Sequence, residues 1–281
     1  MAVESLSSLR PYLFKIAYSM TGVVEEAEDL VQDAFEKWLS RKNEEVQNPK
    51  AYLARMVVNS SLNRLEQLKR ERETYKGTWL PEPYIVEENS SALPTLDFGL
   101  LFLLERLNPM ERAVFIMRES FSETYDEIAE LTGVSAENCR QLLHRAKEKL
   151  HKRSIHPVDP GTQKQFVEAF LVALQMQDRS ALEKLLRRDI ELYGDGGGKR
   201  SATLKPLFGF EKAAKFLVAL GEINKGITFS YRPVMVNGLP AGLLVNDTTG
   251  EIDSVLTLDF DANGISALYF VRNPDKIAVR K

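Results

Sequence analysis

Side chains able to read nucleic acid gather between Tyr125 and Lys149. Ser135, Glu137, Asn138, Arg140, Gln141, His144 and Arg145 place hydrogen-bonding groups and cations on one short stretch. Asn, Gln and Arg can pair with base edges, and Arg can also neutralise phosphate. The neighbouring residues indicate how such groups would be held. Ile128, Ala129 and Leu131 mark a first helix, and Gly133 tolerates the positive φ that a tight turn needs. Val134 can plug the interhelical angle, and Ser135 can cap a second helix. There Cys139, Leu142, Leu143, Ala146 and Leu150 share one apolar face. Glu137, Gln141, His144 and Glu148 point the other way, flanked by Asn138, Arg140, Arg145 and Lys147. The pattern is that of a helix-turn-helix whose polar side suits a major groove. The solvated side of an ordinary helical hairpin would carry similar charges, but the turn, the cap and the polar helix start together favour DNA. His144 reads as facing phosphate or solvent rather than a metal, and Cys139 as buried and inert.

A second constellation lies at Asp195-Gly196-Gly197-Gly198-Lys199. Asp195 has the chemistry of a general base, and Lys199 beside a glycine run can hold an anion. The phosphate-loop spacing is absent, and no histidine follows Thr162 to work with the carboxylate. A contact between domains, a plain turn and a ligand or catalytic site all stay open for this segment. Asn273-Pro274-Asp275-Lys276 has the composition of a turn that ends a strand. No metal site and no cofactor are expected.

Helices must position the first constellation. Helical periodicity runs from Leu6 to about Arg72. In Val24–Leu39 the residues Ala27, Leu30, Val31, Ala34, Phe35 and Trp38 form an apolar stripe, with Glu25, Glu28, Asp29, Gln32, Asp33 and Glu36 away from it. Asn48-Pro49 should open another helix, which runs on through Arg64 to Lys69-Arg70. Residues 73–97 read as a linker rich in Pro and polar residues, yet it holds Trp79-Leu80-Pro81-Glu82-Pro83-Tyr84-Ile85. That apolar patch either packs locally or docks on another domain of the chain. Helical pattern returns over Phe98–Arg153. Beyond Pro160 come short helices at Gln165–Leu174, Ser180–Leu186 and Lys212–Leu220. Strand-like stretches follow at Thr228–Val236, Ala241–Val245, Val255–Phe260 and Ile265–Val271, with hairpin turns at Asn237-Gly238 and Ala262-Asn263-Gly264. Helices followed by an antiparallel meander make an α+β domain.

The 281 residues carry a formal net charge of −3, with 44% hydrophobic and 27% charged residues. The length suggests two or three compact units. An acidic sum argues against a free nucleic-acid binder, but separated basic and acidic patches allow one surface for DNA and another for a basic partner. Cys139 is the sole cysteine, so no internal disulfide forms. No apolar run approaches the roughly 18 residues of a membrane span, and no secretory signal opens the chain. A cytoplasmic protein with no membrane partner is expected.

Three pieces resemble one family. Leu13–Met20 with Ala27–Trp38 is similar to the polymerase-binding part of sigma domain 2. Asn48–Arg64 resembles the segment that melts and reads the −10 promoter element. Leu107–Phe115 and the helix-turn-helix resemble sigma domain 4, the −35 reader. The rest matches the subgroup of extracytoplasmic-function sigma factors with a fused SnoaL-like domain, through Trp79–Pro83, Asp195–Lys199 and Asn273–Ile277, whose last residue is Leu in many relatives. The resemblance implies a multidomain chain: two all-α sigma domains at 1–72 and 98–156, the linker at 73–97, and an α+β curved-sheet SnoaL-like domain at 160–281.

It also implies roles. Asp29, Gln32 and Asp33 would dock on core RNA polymerase, where a carboxylate row complements a basic surface. Arg55, Asn59, Asn63 and Arg64 would hold the −10 element, and Ser135, Glu137, Asn138, Arg140, Gln141, His144 and Arg145 the −35 element. Trp79, Leu80, Pro81, Glu82, Pro83, Asp195, Gly196, Gly197, Gly198, Lys199, Asn273, Pro274, Asp275 and Lys276 would form a regulatory contact within the chain. The partners are then core RNA polymerase and promoter DNA, with a small-molecule ligand in the C-terminal pocket left open. The alternative is a DNA-binding regulator carrying an active SnoaL-like enzyme.

Overall fold

The computed structural model describes residues 8–40, 46–86, 96–150, 160–223 and 229–280. These fall into two compact units, one drawn from Met1–Thr74, Leu93–Leu96 and Leu100–Ser154, the other from Tyr75–Ala92, Asp97–Gly99 and Ile155–Lys281. Of the linker expected over 73–97, residues 87–95 lie outside the described residues.

The first unit is helical. Helices α1 (Arg10–Thr21), α2 (Val24–Leu39) and α3 (Pro49–Glu73) pack on one another. Local chemistry sets their ends. Gly22 adopts φ 69° and closes α1, and the Asn48 side chain accepts from the Ala51 amide at 3.1 Å to start α3. Leu13, Ile16, Ala17, Val24, Ala27, Leu53, Val57 and Leu65 are fully buried between them. Helices α4 (Phe98–Leu103), α5 (Pro109–Glu119), α6 (Tyr125–Thr132) and α7 (Ala136–Leu150) follow. Reciprocal caps open α5 at Asn108–Glu111 and α6 at Thr124–Glu127. The turn between α6 and α7 forms as its residues require. Gly133 sits at φ 78°, and Ser135 Oγ accepts from the Asn138 amide at 3.2 Å.

The second unit is an α+β layer. Helices α8 (Pro160–Gln175), α9 (Arg179–Leu185) and α10 (Phe210–Ile223) cover one face of a sheet. Its strands are β1 (Ile85–Val86), β2 (Leu186–Asp195), β3 (Leu207–Phe208), β4 (Phe229–Val236), β5 (Leu239–Asn246), β6 (Ile252–Asp261), β7 (Gly264–Val271) and β8 (Val279–Arg280). They lie in the order β3-β2-β7-β6-β5-β4-β1-β8. The meander β4–β7 is antiparallel as its hairpins require, while β2 joins β7 in parallel. Val167, Phe170, Leu171, Leu217, Leu192, Leu256, Leu268 and Phe270 fill the space between helices and sheet.

Two features depart from the sequence reading. Strand β2 was not expected, because Arg187-Arg188-Asp189 breaks the apolar alternation and leaves only Ile190 and Leu192 to carry a period of two. The segment read as linker supplies a strand: Ile85-Val86 pairs antiparallel with β4 and parallel with β8. A two-residue strand has no sequence period to detect. No helix of the described residues is long and apolar enough to cross a membrane.

Candidate functional site

The polar face of α7 is open. Ser135, Glu137, Asn138, Arg140, Gln141, His144 and Arg145 are all exposed, while Cys139, Leu142, Leu143, Ala146 and Leu150 are buried beneath them. Several cations on this helix are already oriented. The Arg140 guanidinium lies 5.0 Å from the Tyr125 ring centroid and 3.2 Å from the Glu137 carboxylate. Arg118 approaches the same ring at 5.0 Å. Lys147 pairs with Glu119 at 2.8 Å and Lys149 with Glu111 at 2.6 Å. His144 faces Glu148 at 3.6 Å, a surface arrangement without further ligands. Burial pushes the Cys139 thiol up, so it stays protonated and inert. Among the described residues no group of His, Cys, Asp and Glu could hold a metal ion.

On α3, Arg55, Asn59 and Asn63 recur every four residues and form one exposed stripe. Arg64 stands apart. Its Nε and Nη2 each donate to Glu26 at 2.6 Å, and Nη1 reaches Glu71 at 2.9 Å. The Glu26 hydrogen bond raises its pKa further, so in this structure Arg64 ties α3 to α2. On α2, Asp29, Gln32 and Asp33 are exposed on one side, with Gln32 donating to Glu36 at 2.9 Å.

In the second unit three separated segments meet at one carboxylate. Asp195 ends β2 with no solvent exposure. Its Oδ1 accepts from the Tyr75 hydroxyl at 2.5 Å and the Gly197 amide at 3.0 Å. Its Oδ2 accepts from the Leu80 amide at 2.9 Å and Lys276 Nζ at 2.7 Å. Lys276 also donates to the Leu80 carbonyl at 2.6 Å and stands 4.3 Å from the Trp79 ring and 4.9 Å from the Tyr75 ring. Every lone-pair direction of the carboxylate is met, as a buried charge requires. Burial first, then the hydrogen bond to Asp195, pushes the Tyr75 phenol well above its ordinary range. It therefore remains an O–H donor at any physiological pH.

The glycines beside Asp195 are dictated by packing. A Cβ on Gly196 would stand 2.0 Å from the Arg200 carbonyl oxygen. Gly197, at φ 61°, would place one 2.4 Å from the Asn273 amide group, which in turn donates to the Tyr75 hydroxyl at 2.9 Å. Lys199 pairs with Asp275 at the surface at 2.7 Å. Leu80, Pro81, Glu82 and Pro83 are buried, and Tyr84 exchanges hydrogen bonds of 3.0 Å with Asn237. Pro274-Asp275-Lys276 forms a 3-10 turn capped by Asn273.

The sequence reading missed Tyr75 and Arg272. Tyr75 precedes the apolar patch and looked like linker. Arg272, adjoining Asn273, holds Asp253 at 2.8 Å and the Ser201 carbonyl at 2.7 Å, fixing the loop after β2. Its position beside the Asn-Pro-Asp turn was the only available signal.

Comparisons with known proteins follow the same division. The family described as Sigma-70 region 2 matches residues 6–71, and Sigma-70, region 4 matches residues 98–150. The ECF RNA polymerase sigma factor SigJ of Mycobacterium tuberculosis is 30% identical over 291 aligned residues, 98% of this chain and 93% of that one. A probable ECF RNA polymerase sigma factor of the same organism, SigI, is 32% identical over 63% of this chain and 64% of its own. The crystal structure of SigJ superposes with a TM-score of 0.80 at 27% identity, covering 98% of both chains.

Proposed function

Because this chain belongs to the extracytoplasmic-function RNA polymerase sigma factors, we propose that its C-terminal domain regulates initiation by holding the segment that connects its two promoter-binding regions. As a sigma factor it directs promoter-specific transcription initiation with core RNA polymerase, which places its work in the cytoplasm. Region 2, α1–α3, would seat on polymerase through Asp29, Gln32 and Asp33. It would hold the −10 element through Arg55, Asn59 and Asn63, with Arg64 joining once released from Glu26. Region 4 would read the −35 element through the exposed face of α7, where Arg140 is pre-oriented by Tyr125 and Glu137.

One observation carries the regulatory reading. The stretch joining regions 2 and 4 in the sequence is hydrogen-bonded through Leu80 to Asp195 and Lys276, and through Ile85-Val86 into the sheet. Held residues cannot contribute to the reach of a tether. Releasing 75–86 would return about 40 Å of extended chain at ~3.3 Å per residue. Reach and effective concentration decide whether two weak grips act together. The domain thus sets a two-state equilibrium that a ligand, a partner or polymerase could bias. An enzymatic role for Asp195 fits less well, because all its acceptor positions are occupied and a general base needs a free one.

The test is in vitro transcription with core polymerase and the full chain, comparing wild type with Asp195→Asn and Trp79→Ala. Wild type should initiate at specific promoters. Both variants should change the amount of product in the same direction by about five-fold or more, on the order of 1 kcal/mol of shifted equilibrium. Unchanged product from both variants would remove the regulatory role.

A further inference from the structure

Within region 4, a chain of contacts starts in the loop 119–124 between α5 and α6 and ends on α7. In that loop Ser122 takes the left-handed conformation, at φ 58°. A residue other than glycine keeps that conformation only where its surroundings fasten it. Two hydrogen bonds do so here. The Glu123 amide donates to the Met117 carbonyl at 3.1 Å, and Arg118 Nη1 donates to the Glu123 carbonyl at 2.7 Å. Thr124 then caps α6: its amide donates to the Glu127 carboxylate at 2.7 Å, and its hydroxyl accepts from the Glu127 amide at 3.3 Å. Loop and cap together fix Tyr125, the first residue of α6, whose side chain is half-buried.

Two guanidinium groups reach the Tyr125 ring, Arg118 from α5 and Arg140 from α7, each 5.0 Å from its centroid. Their tasks differ. Arg118 is half-buried and gives a donor to the loop that carries the ring. Arg140 stands in the second turn of α7 with its side chain 53% exposed. An exposed arginine samples many rotamers and loses that freedom when it binds. The ring restrains this one through its π face, which consumes no N–H donor. Glu137 takes only Nη1, at 3.2 Å, so the other N–H groups stay available to a base edge. Glu137 is itself 71% exposed and three residues away on the same helix, and such a pair holds a side chain weakly. The ring is the firmer restraint, because it is anchored from another helix.

We propose that Tyr125 is a positioning residue for promoter reading: its ring holds Arg140 ready for one base pair of the −35 element, and the preference for that base pair depends on the ring. The inference rests on the reading of α7 as the −35 helix. Arg118 is the strut of this arrangement, since it ties the loop and flanks the ring, and Arg140 is the reader. Holding a side chain in its bound conformation removes an ordering cost that binding would otherwise carry. The effect acts through Arg140 alone, so losing the ring should weaken selection at the base pair that Arg140 contacts and leave the rest of the element as it was.

The experiment uses the full chain with core polymerase and a duplex promoter library randomised over the −35 and −10 elements. Heparin-resistant complexes are recovered and sequenced. Arg140→Ala identifies the base pair that Arg140 reads. Tyr125→Leu keeps an apolar side chain without a π face, and should lower the preference at that base pair by about two- to five-fold, the size of a cation–π contact at an exposed site. Tyr125→Phe should restore it. Tyr125→Leu combined with Arg140→Ala should lose no more than Arg140→Ala alone. Preference at the other −35 positions is the folding control, because a disordered helix-turn-helix loses all of them. A Tyr125→Leu variant that selects like wild type, or that loses preference at every position, overturns the positioning role. So does a Tyr125→Phe variant as poor as Tyr125→Leu, since the hydroxyl rather than the ring would then act. If Arg140→Ala changes no base preference, Arg140 is not a reader and the proposal falls with that assignment. An effect of Arg140→Ala that Tyr125→Leu does not share removes the positioning and leaves the reading of α7 standing.

Discussion

Two carboxylates organise this molecule, and they are satisfied differently. Asp195 is fully buried and receives four donors, of which one is a cation, from residues 75, 80, 197 and 276. Glu105 is 16% exposed and receives two guanidinium groups, with a third cation nearby on the Leu107 carbonyl. A closed shell of neutral donors and one ammonium is a structural joint, because breaking it strands buried polar groups. A carboxylate shared by two guanidinium groups, at an edge that water reaches, keeps part of its shell in solvent. The same residue chemistry thus yields a fully desolvated joint in one unit and a partly solvated one in the other.

The comparison breaks first at Asp195. Asp195→Ala leaves the Lys276 ammonium, the Tyr75 hydroxyl and the Leu80 amide facing a hole, and should cost about 3–5 kcal/mol in urea unfolding of the second unit. A midpoint unchanged from wild type would show that the shell is not a structural joint. Gly197→Ala asks whether the loop needs its left-handed turn. With φ 61° and Asn273 in the way, a loss of about 1–3 kcal/mol is expected by the same measurement. In the first unit, Arg140→Ala should weaken binding to the cognate −35 sequence by about 1–3 kcal/mol, with relaxed specificity at one base pair. If Arg140 touches only phosphate, the loss will be uniform across sequences and the salt slope will fall by about one. The smallest effect belongs to Lys199→Ala. Its partner Asp275 is also exposed, so stability should change by less than about 1 kcal/mol despite the position of Lys199 in the glycine-rich motif. A larger loss would mean that the motif acts through its lysine rather than through Asp195 and the glycines.

Much of the first unit was legible from residue order. The Asn48-Pro49 start of α3, the Gly133 turn and the Ser135 cap are local devices, each decided within four residues. The exposed face of α7 followed from the burial of Cys139, Leu142, Leu143 and Ala146 on the other side. The stripe Arg55, Asn59 and Asn63 is a consequence of helical period alone. Arg64 was not legible, because its commitment to Glu26 depends on how α2 lies against α3. In the second unit, strands β4–β7 announced themselves through alternation and Asn-Gly turns. Strand β2 and the two-residue β1 did not, since their pairing is with segments distant in sequence.

The residue order by itself determined the helices, their caps, the hairpins and the motifs at 79–83, 195–199 and 273–276. Covalent spacing and side-chain period suffice for these, because every contact they need is made within a few residues. Only the tertiary structure decided that the three motifs converge on one buried carboxylate, that Tyr75 joins them and that Glu105 gathers cations from α3 and α5. Such meetings link positions more than a hundred residues apart at Asp195 and some thirty apart at Glu105. Their energy comes from desolvated charge finding matched donors, which no local pattern encodes.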